Sequence, residues 1–243
     1  MKTVRTAMTA ASILLMAASS VVTAQDNKWN FEVTPYLWAA GVEGDATVQG
    51  QDVDIDVGFD DILDAVDAAG GLMAMAQRDN FVVWGQFDYV GTDTDQLDPA
   101  PAGGSIQTDS FLGALAAGYQ FKGPLKDSTI NLLGGIRYAW IENDYEITGG
   151  SSGKDSMDIV DGIIVVGSSF RLTEKWRFNP MFSVGAGDSD LTWELQPTFR
   201  YQFKDNMALR LGYRRLHYDI EGDTGNEFDA AFHGFIAGLS IMF

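Results

Sequence analysis

Apolar and polar residues alternate along the chain from Trp29 onward, and turn residues interrupt the alternation about every 10 to 14 residues. Successive side chains of a β-strand point to opposite faces, so this period predicts strands with one apolar and one polar face. The first strand shows the split clearly. Its apolar positions are Trp29, Phe31, Val33, Pro35, Leu37 and Ala39, and its polar face holds Asn30, Glu32, Thr34 and Tyr36.

The aromatic residues distinguish a membrane barrel from a soluble β-sandwich, which alternates in the same way. Apolar faces begin or end in aromatics such as Trp29, Phe81, Tyr138, Trp176 and Phe203. Aromatic girdles of this kind mark the two interfaces of a membrane. The opposite faces carry Gln, Arg, Asp, Glu, Ser and Gly, which suit a hydrated or ion-paired lumen. The sequence therefore predicts an all-β protein, a transmembrane antiparallel up-and-down β-barrel.

The alternation predicts ten strands, with eight and twelve as alternatives. An even number places both chain ends in the periplasm. The predicted strands span residues 29–42, 69–78, 81–91, 110–121, 129–141, 158–171, 176–187, 191–203, 207–218 and 230–243.

Charge separates the two sets of connections between these strands. The connections 43–68, 92–109, 142–158, 188–190 and 219–229 hold 25 acidic residues and one base, Lys154. The connections 78–80, 122–128, 172–175 and 204–206 hold four acids and five bases. Outer-membrane barrels have short periplasmic turns and longer extracellular loops, so the acidic set is predicted to lie outside the cell.

The N-terminus has the pattern of a secretory signal peptide. Lys2 and Arg5 precede an Ala-rich apolar run, and small residues lead to a cleavage site predicted after Ala24. Residues 25–243 then form one barrel domain. Without Lys2 and Arg5 the mature chain has 14 basic and 34 acidic side chains, a formal charge of −20, which disfavours nucleic acid as a partner. No cysteine is present, which excludes disulfides and thiolate metal sites.

The last predicted strand places one set of apolar residues on a single face and ends on an aromatic residue. This face resembles the terminal signature by which bacterial barrels are recognised by the outer-membrane assembly machinery, and the resemblance implies that machinery as a partner. The residues of the predicted assembly signal are Phe235, Leu239, Ile241 and Phe243, with Ala237 between them.

Three further segments resemble a family of uncharacterised proteobacterial outer-membrane β-barrels, the small OmpA/OmpW-like porin-type barrels. They are Pro35-Tyr36-Leu37-Trp38, the Asp-rich stretch from Val53 to Asp67, and Leu211-Gly212-Tyr213-Arg214. The resemblance covers most of the mature chain. It implies the barrel fold and an outer-membrane location, and it implies no activity.

The connection 43–68 carries two separate patterns. Apolar residues alternate with Asp52, Asp54 and Asp56, which predicts a hairpin with residues 41–49 that extends the barrel wall. Residues 59–67 then show helical spacing, which predicts a short amphipathic helix on the barrel mouth or on the membrane surface. The aspartates do not match a calcium loop, because Gly58 is one place late and Leu63 stands where the twelfth ligand belongs. Loose binding of divalent cations that bridge to lipopolysaccharide remains open.

Charged residues on the polar faces segregate along the predicted lumen. A basic cluster near the periplasmic end consists of Arg171, Arg177, Arg200 and Arg210. The acidic residues Asp88, Asp161 and Glu194 are predicted to lie higher. The cluster has two interpretations, a site that selects or holds anions and a set of ion pairs that fills a narrow barrel; the second is favoured because small lumens are filled by side chains.

Hydrolysis of lipid or peptide bonds would require a general base, usually histidine. Only His217 and His233 are available, and both alternate with the lipid-facing residues near the outer rim. The sequence thus favours a monomeric, non-enzymatic barrel without cofactor or metal, with an envelope-structural or surface-interaction role. A narrow solute channel, with a preference for anions, is the alternative, and an outer-membrane hydrolase is the third candidate.

Overall fold

The structure, a computed structural model, describes residues 28–48, 51–59, 66–94, 104–147, 152–221 and 227–243. The predicted signal peptide, residues 1–24, lies outside these residues, and so does the predicted helix of residues 59–67 except for its two ends. No helix in the described part of the chain has the length and hydropathy needed to cross a bilayer.

Eleven strands follow one another along the described chain. They are β1 (Asn30–Val48), β2 (Gln51–Val57), β3 (Val66–Arg78), β4 (Phe81–Thr94), β5 (Gly104–Lys122), β6 (Thr129–Ile147), β7 (Ser152–Arg171), β8 (Trp176–Gly187), β9 (Leu191–Lys204), β10 (Met207–Glu221) and β11 (Glu227–Met242). Each strand from β3 to β11 pairs antiparallel with the next, and β1 pairs with both β3 and β11. These ten strands close an up-and-down barrel, as the alternation predicted.

The barrel closes where the first and last strands meet. Glu32 on β1 is the register partner of Met242 on β11. At the end of this seam the backbone N–H of Phe243 donates to the carbonyl of Phe31 at 2.9 Å, and the N–H of Phe31 donates to the carbonyl of Phe243 at 3.2 Å. The C-terminal residue is therefore part of the hydrogen-bonded wall.

The strand outside the closed barrel, β2, extends the barrel wall at its outer end. Beyond Ala40 the outer half of β1 pairs with β2, from Val42 opposite Val57 to Val48 opposite Gln51. This pairing confirms the hairpin predicted from the alternating aspartates. In the described part of the chain β2 pairs with β1 alone.

Several strands continue further outward than their alternation predicted. The connection predicted over residues 142–158 is mostly strand, because β6 continues to Ile147 and β7 already begins at Ser152. Outside the membrane the lipid no longer selects apolar side chains for the outer face, whereas backbone pairing continues unchanged. The periodic signal therefore fades before the strand ends.

The two faces of each strand meet different surroundings. Leu37 and Phe235 face outward and are 66% and 73% exposed, whereas their neighbours Tyr36 and Ile236 face inward and are buried. The lumen is less polar than the sequence indicated, because an inward cluster on β4 to β7 is apolar. It consists of Val82, Ala114, Ala116, Leu133, Ile163 and Val165. Side chains of this kind fill the interior of small barrels.

Candidate functional site

The four arginines of the predicted basic cluster lie side by side on neighbouring strands. Arg171 on β7 is the register partner of Arg177 on β8, which is also the partner of Arg200 on β9. Arg200 in turn pairs with Arg210 on β10. We call these residues the arginine row. It crosses the lumen wall near the short turns 172–175 and 205–206, which mark the periplasmic end.

Two arginines of the row share one carboxylate. Arg210 donates to Oε1 of Glu32 at 2.7 Å, and Nη1 of Arg200 lies 3.4 Å from Oε2 of the same residue. Arg177 donates instead to neutral oxygens, the hydroxyl of Ser169 and the carbonyl of Asp127. Arg171 is half-exposed and lies 3.3 Å from the Asp127 carboxylate.

A cavity of about 310 Å³ lies inside the barrel beside the arginine row. Arg177, Arg200 and Arg210 line one side of it, and amide side chains such as Gln120 and Asn131 line another. A second cavity of about 100 Å³ lies nearer the mouth and shares Arg177 and Arg200 with the first. The predicted basic cluster thus borders an internal cavity whose arginine and amide side chains could form hydrogen bonds with a ligand.

Two of the predicted acidic residues belong to a buried charge network in the middle of the barrel. Arg214 on β10 donates to Glu194 at 2.7 Å and to Asp88 at 2.5 Å. Arg137 on β6 donates to the other oxygen of Glu194 at 2.7 Å. The hydroxyl of Tyr36 donates to Asp88 at 2.5 Å. All five side chains are almost completely buried, and apart from the Arg214–Glu194 bond between the neighbours β10 and β9 their bonds join strands that are not neighbours in the wall.

Arg137 and Arg214, at the centre of this network, were absent from the predicted set of lumen residues, although the alternation of inward and outward positions indicates them. Arg137 lies between Ile136 and Tyr138, and Arg214 lies between Tyr213 and Arg215. Strict alternation with lipid-facing Ile136 and Tyr138 places Arg137 inside. What alternation cannot give is the pairing across the lumen, because that depends on strand tilt and register.

Asp161, the third predicted acidic residue, lies outside this network. Its buried carboxylate accepts hydrogen bonds from the backbone N–H and the hydroxyl of Ser189, at 3.0 and 2.7 Å. The role visible in the structure is local, because the bonds fasten the turn between β8 and β9 to β7.

An apolar cluster covers the charge network on its outer side. Its buried members come from four strands, and the indole of Trp38 joins them while its ring also lies 4.2 Å from the guanidinium of Arg214. The buried members are Leu112, Ala139, Ile159, Leu216 and Tyr218, and Ile220, Phe228 and Phe232 pack against them. Charge network and cluster together fill the outer half of the lumen.

The two histidines lie at outward-facing positions near the outer rim, as predicted. Nε2 of His217 lies 2.7 Å from Asp229, and its ring stacks on Trp193 with centroids 5.3 Å apart. His233 lies 3.1 Å from Glu43 and shares a 2.8 Å hydrogen bond with the hydroxyl of Tyr213. Each histidine is thus held by its own carboxylate.

The outer wall beside these histidines is strongly acidic. Four aspartates are register partners in one row across β10, β11, β1 and β2: Asp219, Asp229, Asp45 and Asp54. Glu43 and Asp56 face each other in the next row. The hydrogen bond from Arg215 holds the pKa of Glu43 below its usual value. Among the described residues no group of three or more His, Cys, Asp or Glu side chains could hold a metal ion by itself.

No protein-family model matches the chain, and no curated protein matches it either. Solved structures do. The outer membrane protease OmpT from Escherichia coli is 9% identical, with a TM-score of 0.55 over 93% of this chain and 99% of that chain. The translocator domain of the autotransporter NalP from Neisseria meningitidis is 11% identical, with a TM-score of 0.50 over 99% and 97%. The chain has the fold of an outer-membrane β-barrel.

A third structure, the attachment invasion locus protein Ail of Yersinia pestis, is 10% identical and covers 89% of this chain with a TM-score of 0.40. The lipid-facing surface agrees with the outer-membrane fold. Of the predicted terminal signature, Phe235 at mid-wall and Phe243 at the periplasmic rim are exposed. Leu239 and Ile241 lie between them on the same face. Recognition of this face by the assembly machinery stays a prediction.

Proposed function

We propose that this protein is a non-conducting outer-membrane barrel with an envelope-structural and surface-interaction role at its outer end. The observation that carries the proposal is the charge network of Arg137, Glu194, Arg214, Asp88 and Tyr36, which crosses the lumen from β6 to β4. A solute would have to separate these groups and then pass the apolar cluster above them.

The energetics of buried charges support a permanently closed lumen. Breaking a buried ion pair and leaving one partner uncompensated costs about 3–5 kcal/mol. Glu194 holds two arginines at once, so a passage through this level would leave more than one charge without its partner. A narrow anion channel, the alternative to this proposal, would need such an opening.

The outer end offers the surface for interaction. The β1–β2 hairpin and the outer parts of β10 and β11 form a continuous acidic wall above the membrane. Like charges opposite one another in a sheet repel, and divalent cations prefer oxygen ligands. We propose that Mg²⁺ or Ca²⁺ bridges this wall to phosphates of lipopolysaccharide, which supply the ligands that the protein itself lacks.

Conductance measurements test the closed lumen. Refolded protein in planar bilayers should show no steady current steps under conditions in which an open porin, reconstituted in parallel, conducts. Reproducible anion-selective steps that disappear in the Arg171→Ala, Arg200→Ala double variant would overturn the proposal in favour of a channel.

Binding of lipopolysaccharide tests the outer wall. Protein in detergent should retain lipopolysaccharide in the presence of Mg²⁺ and release it with chelator. The double variant Asp45→Asn, Asp229→Asn should retain several-fold less, whereas Asp127→Asn, an exposed change at the periplasmic end, should behave as wild type. Equal retention by both variants would refute the bridging role.

The proposal assigns no catalytic role to the histidines. His217 and His233 are each bonded to a carboxylate on a neighbouring strand, so that the first contact fastens β10 to β11 and the second fastens β11 to β1. Hydrolysis of lipid A or of a peptide substrate by purified protein, abolished by His217→Ala, would show that the protein is an enzyme instead.

A further inference from the structure

The internal cavity beside the arginine row has an unbalanced charge. Arg177, Arg200 and Arg210 line it, and Glu32 is the single carboxylate among the described residues of its lining. Glu32 is already engaged by both Arg200 and Arg210. Among the described residues, Arg177 donates to two neutral oxygens, the hydroxyl of Ser169 and the carbonyl of Asp127. The described lining of the cavity therefore carries an excess of positive charge.

Donor groups in the cavity are left without acceptors. The Nε atoms of Arg200 and Arg210 are buried and have no hydrogen-bond partner among the described residues. A buried polar group without a partner is energetically unfavourable, and more so when it is charged. An anion that accepts from these guanidinium groups would remove that cost.

The shape and position of the cavity limit the ligand. A volume of about 310 Å³ corresponds to the lower end of small-molecule sites. The second cavity shares Arg177 and Arg200, adds two bases, Arg171 and Lys175, and one acid, Glu174, and continues toward the periplasmic mouth. The barrel wall separates both spaces from the lipid, so the ligand has to be soluble.

We propose that this cavity, together with the arginine row, binds a small soluble phosphate-bearing anion that enters from the periplasm. Guanidinium groups present paired N–H donors in a plane that matches phosphate oxygens. The amide side chains of Gln120 and Asn131 on β5 and β6, and of Asn179 beside Arg177 on β8, suit a polar remainder such as a sugar. The closed centre of the barrel makes this a binding site with one entrance and not a passage.

The direct test is isothermal titration calorimetry of refolded protein in a non-ionic detergent, with three probes. Glucose 6-phosphate should bind, inorganic phosphate should bind more weakly, and glucose should not bind at the same concentrations. Arg177→Gln should weaken glucose 6-phosphate at least about tenfold, the scale of one lost charged hydrogen bond. Lys122→Gln, which removes the same charge from an exposed periplasmic position, should leave it unchanged.

A second variant separates a ligand site from a purely structural cluster. Glu32→Gln removes the carboxylate that competes for Arg200 and Arg210, so binding of glucose 6-phosphate should become several-fold tighter even if the barrel is less stable. Heat-dependent mobility in detergent gels confirms that each variant is folded. Equal binding of glucose and glucose 6-phosphate, or no gain in Glu32→Gln, would overturn the proposal.

Discussion

The ring of Tyr36 occupies the space above Gly71, its register partner on β3. A Cβ atom at residue 71 would overlap the ring atoms of Tyr36, whose hydroxyl reaches Asp88 at 2.5 Å. The absence of a side chain at one position of β3 thus allows a side chain of β1 to join the charge network. The close approach of Tyr36 to the backbone of Gly71 therefore couples the packing of β1 against β3 to the charge network.

This contact predicts a specific effect of adding one methyl group. Gly71→Ala should destabilise the barrel by about 1–3 kcal/mol, because the new Cβ displaces the Tyr36 ring from its place. Gly70→Ala is a matched control, since a Cβ there meets nothing within 4 Å. Urea unfolding in lipid vesicles, followed by tryptophan fluorescence, measures both. Equal stability of the two variants would contradict the coupling.

Glu194 is expected to contribute most to the charge network, because it accepts from two arginines. Glu194→Gln should lower the free energy of unfolding by about 3–5 kcal/mol, since Arg137 loses its carboxylate while it stays buried. The same change at Glu174, an exposed turn residue, should stay within about 0.5 kcal/mol of wild type. The same unfolding assay applies, and a small effect at Glu194 would mean that water replaces its bonds.

Acid should loosen the outer wall. The hydrogen bond from Arg215 lowers the pKa of Glu43 below about 4.5, so this link stabilises the folded wall above that pH. Its contribution is lost as the pH falls through the lowered pKa of the folded state. His233 and Asp56 flank the carboxylate from β11 and β2.

Hydrogen exchange of the outer half of β1 measures this effect. Glu43→Gln, compared at each pH with wild type, corrects for the intrinsic pH dependence of exchange. Protection should differ between the two proteins at neutral pH and converge below the pKa of Glu43. A constant difference down to strongly acidic pH would show that protonation of Glu43 is not involved.

The terminal signature should act in assembly more than in stability. Phe243→Ser should reduce insertion into the outer membrane of cells, whereas refolding of the purified variant in detergent should proceed nearly as in wild type. Phe203→Ser removes an outward aromatic at the same end of β9 and serves as control. Equal loss of insertion in both variants would assign the effect to the aromatic girdle and not to the signature.

Alternation predicted the ten barrel strands correctly, because the lipid imposes one apolar face on every spanning strand. It also assigned four arginines to the periplasmic end, and the structure has them as register partners. The same cause explains the errors. Outside the bilayer that selection ends, so the outer parts of β6 and β7 were assigned to a connection. The inward apolar residues Val82 and Ile163 violated the expected polarity because a small lumen is packed and not hydrated.

The charge network could be predicted only in part. Asp88 and Glu194 were placed inside by alternation, and the same rule would have added Arg137. Their mutual distances depend on how far each strand is shifted against the next around the whole barrel. The sequence indicates which face of each strand a residue lies on, but it does not give the total stagger of the strands around the barrel.

The hairpin formed by β1 and β2 leaves a sheet edge along β2. An edge strand offers its backbone to any extended segment nearby, and inserted charges make such pairing unfavourable. Asp54 and Asp56 are exposed at alternate positions of this edge. If two copies of the chain approached each other along β2, their carboxylates would repel before their backbones could form hydrogen bonds. The acidity that we propose to bind cations therefore also disfavours pairing of this edge with a second copy of the chain.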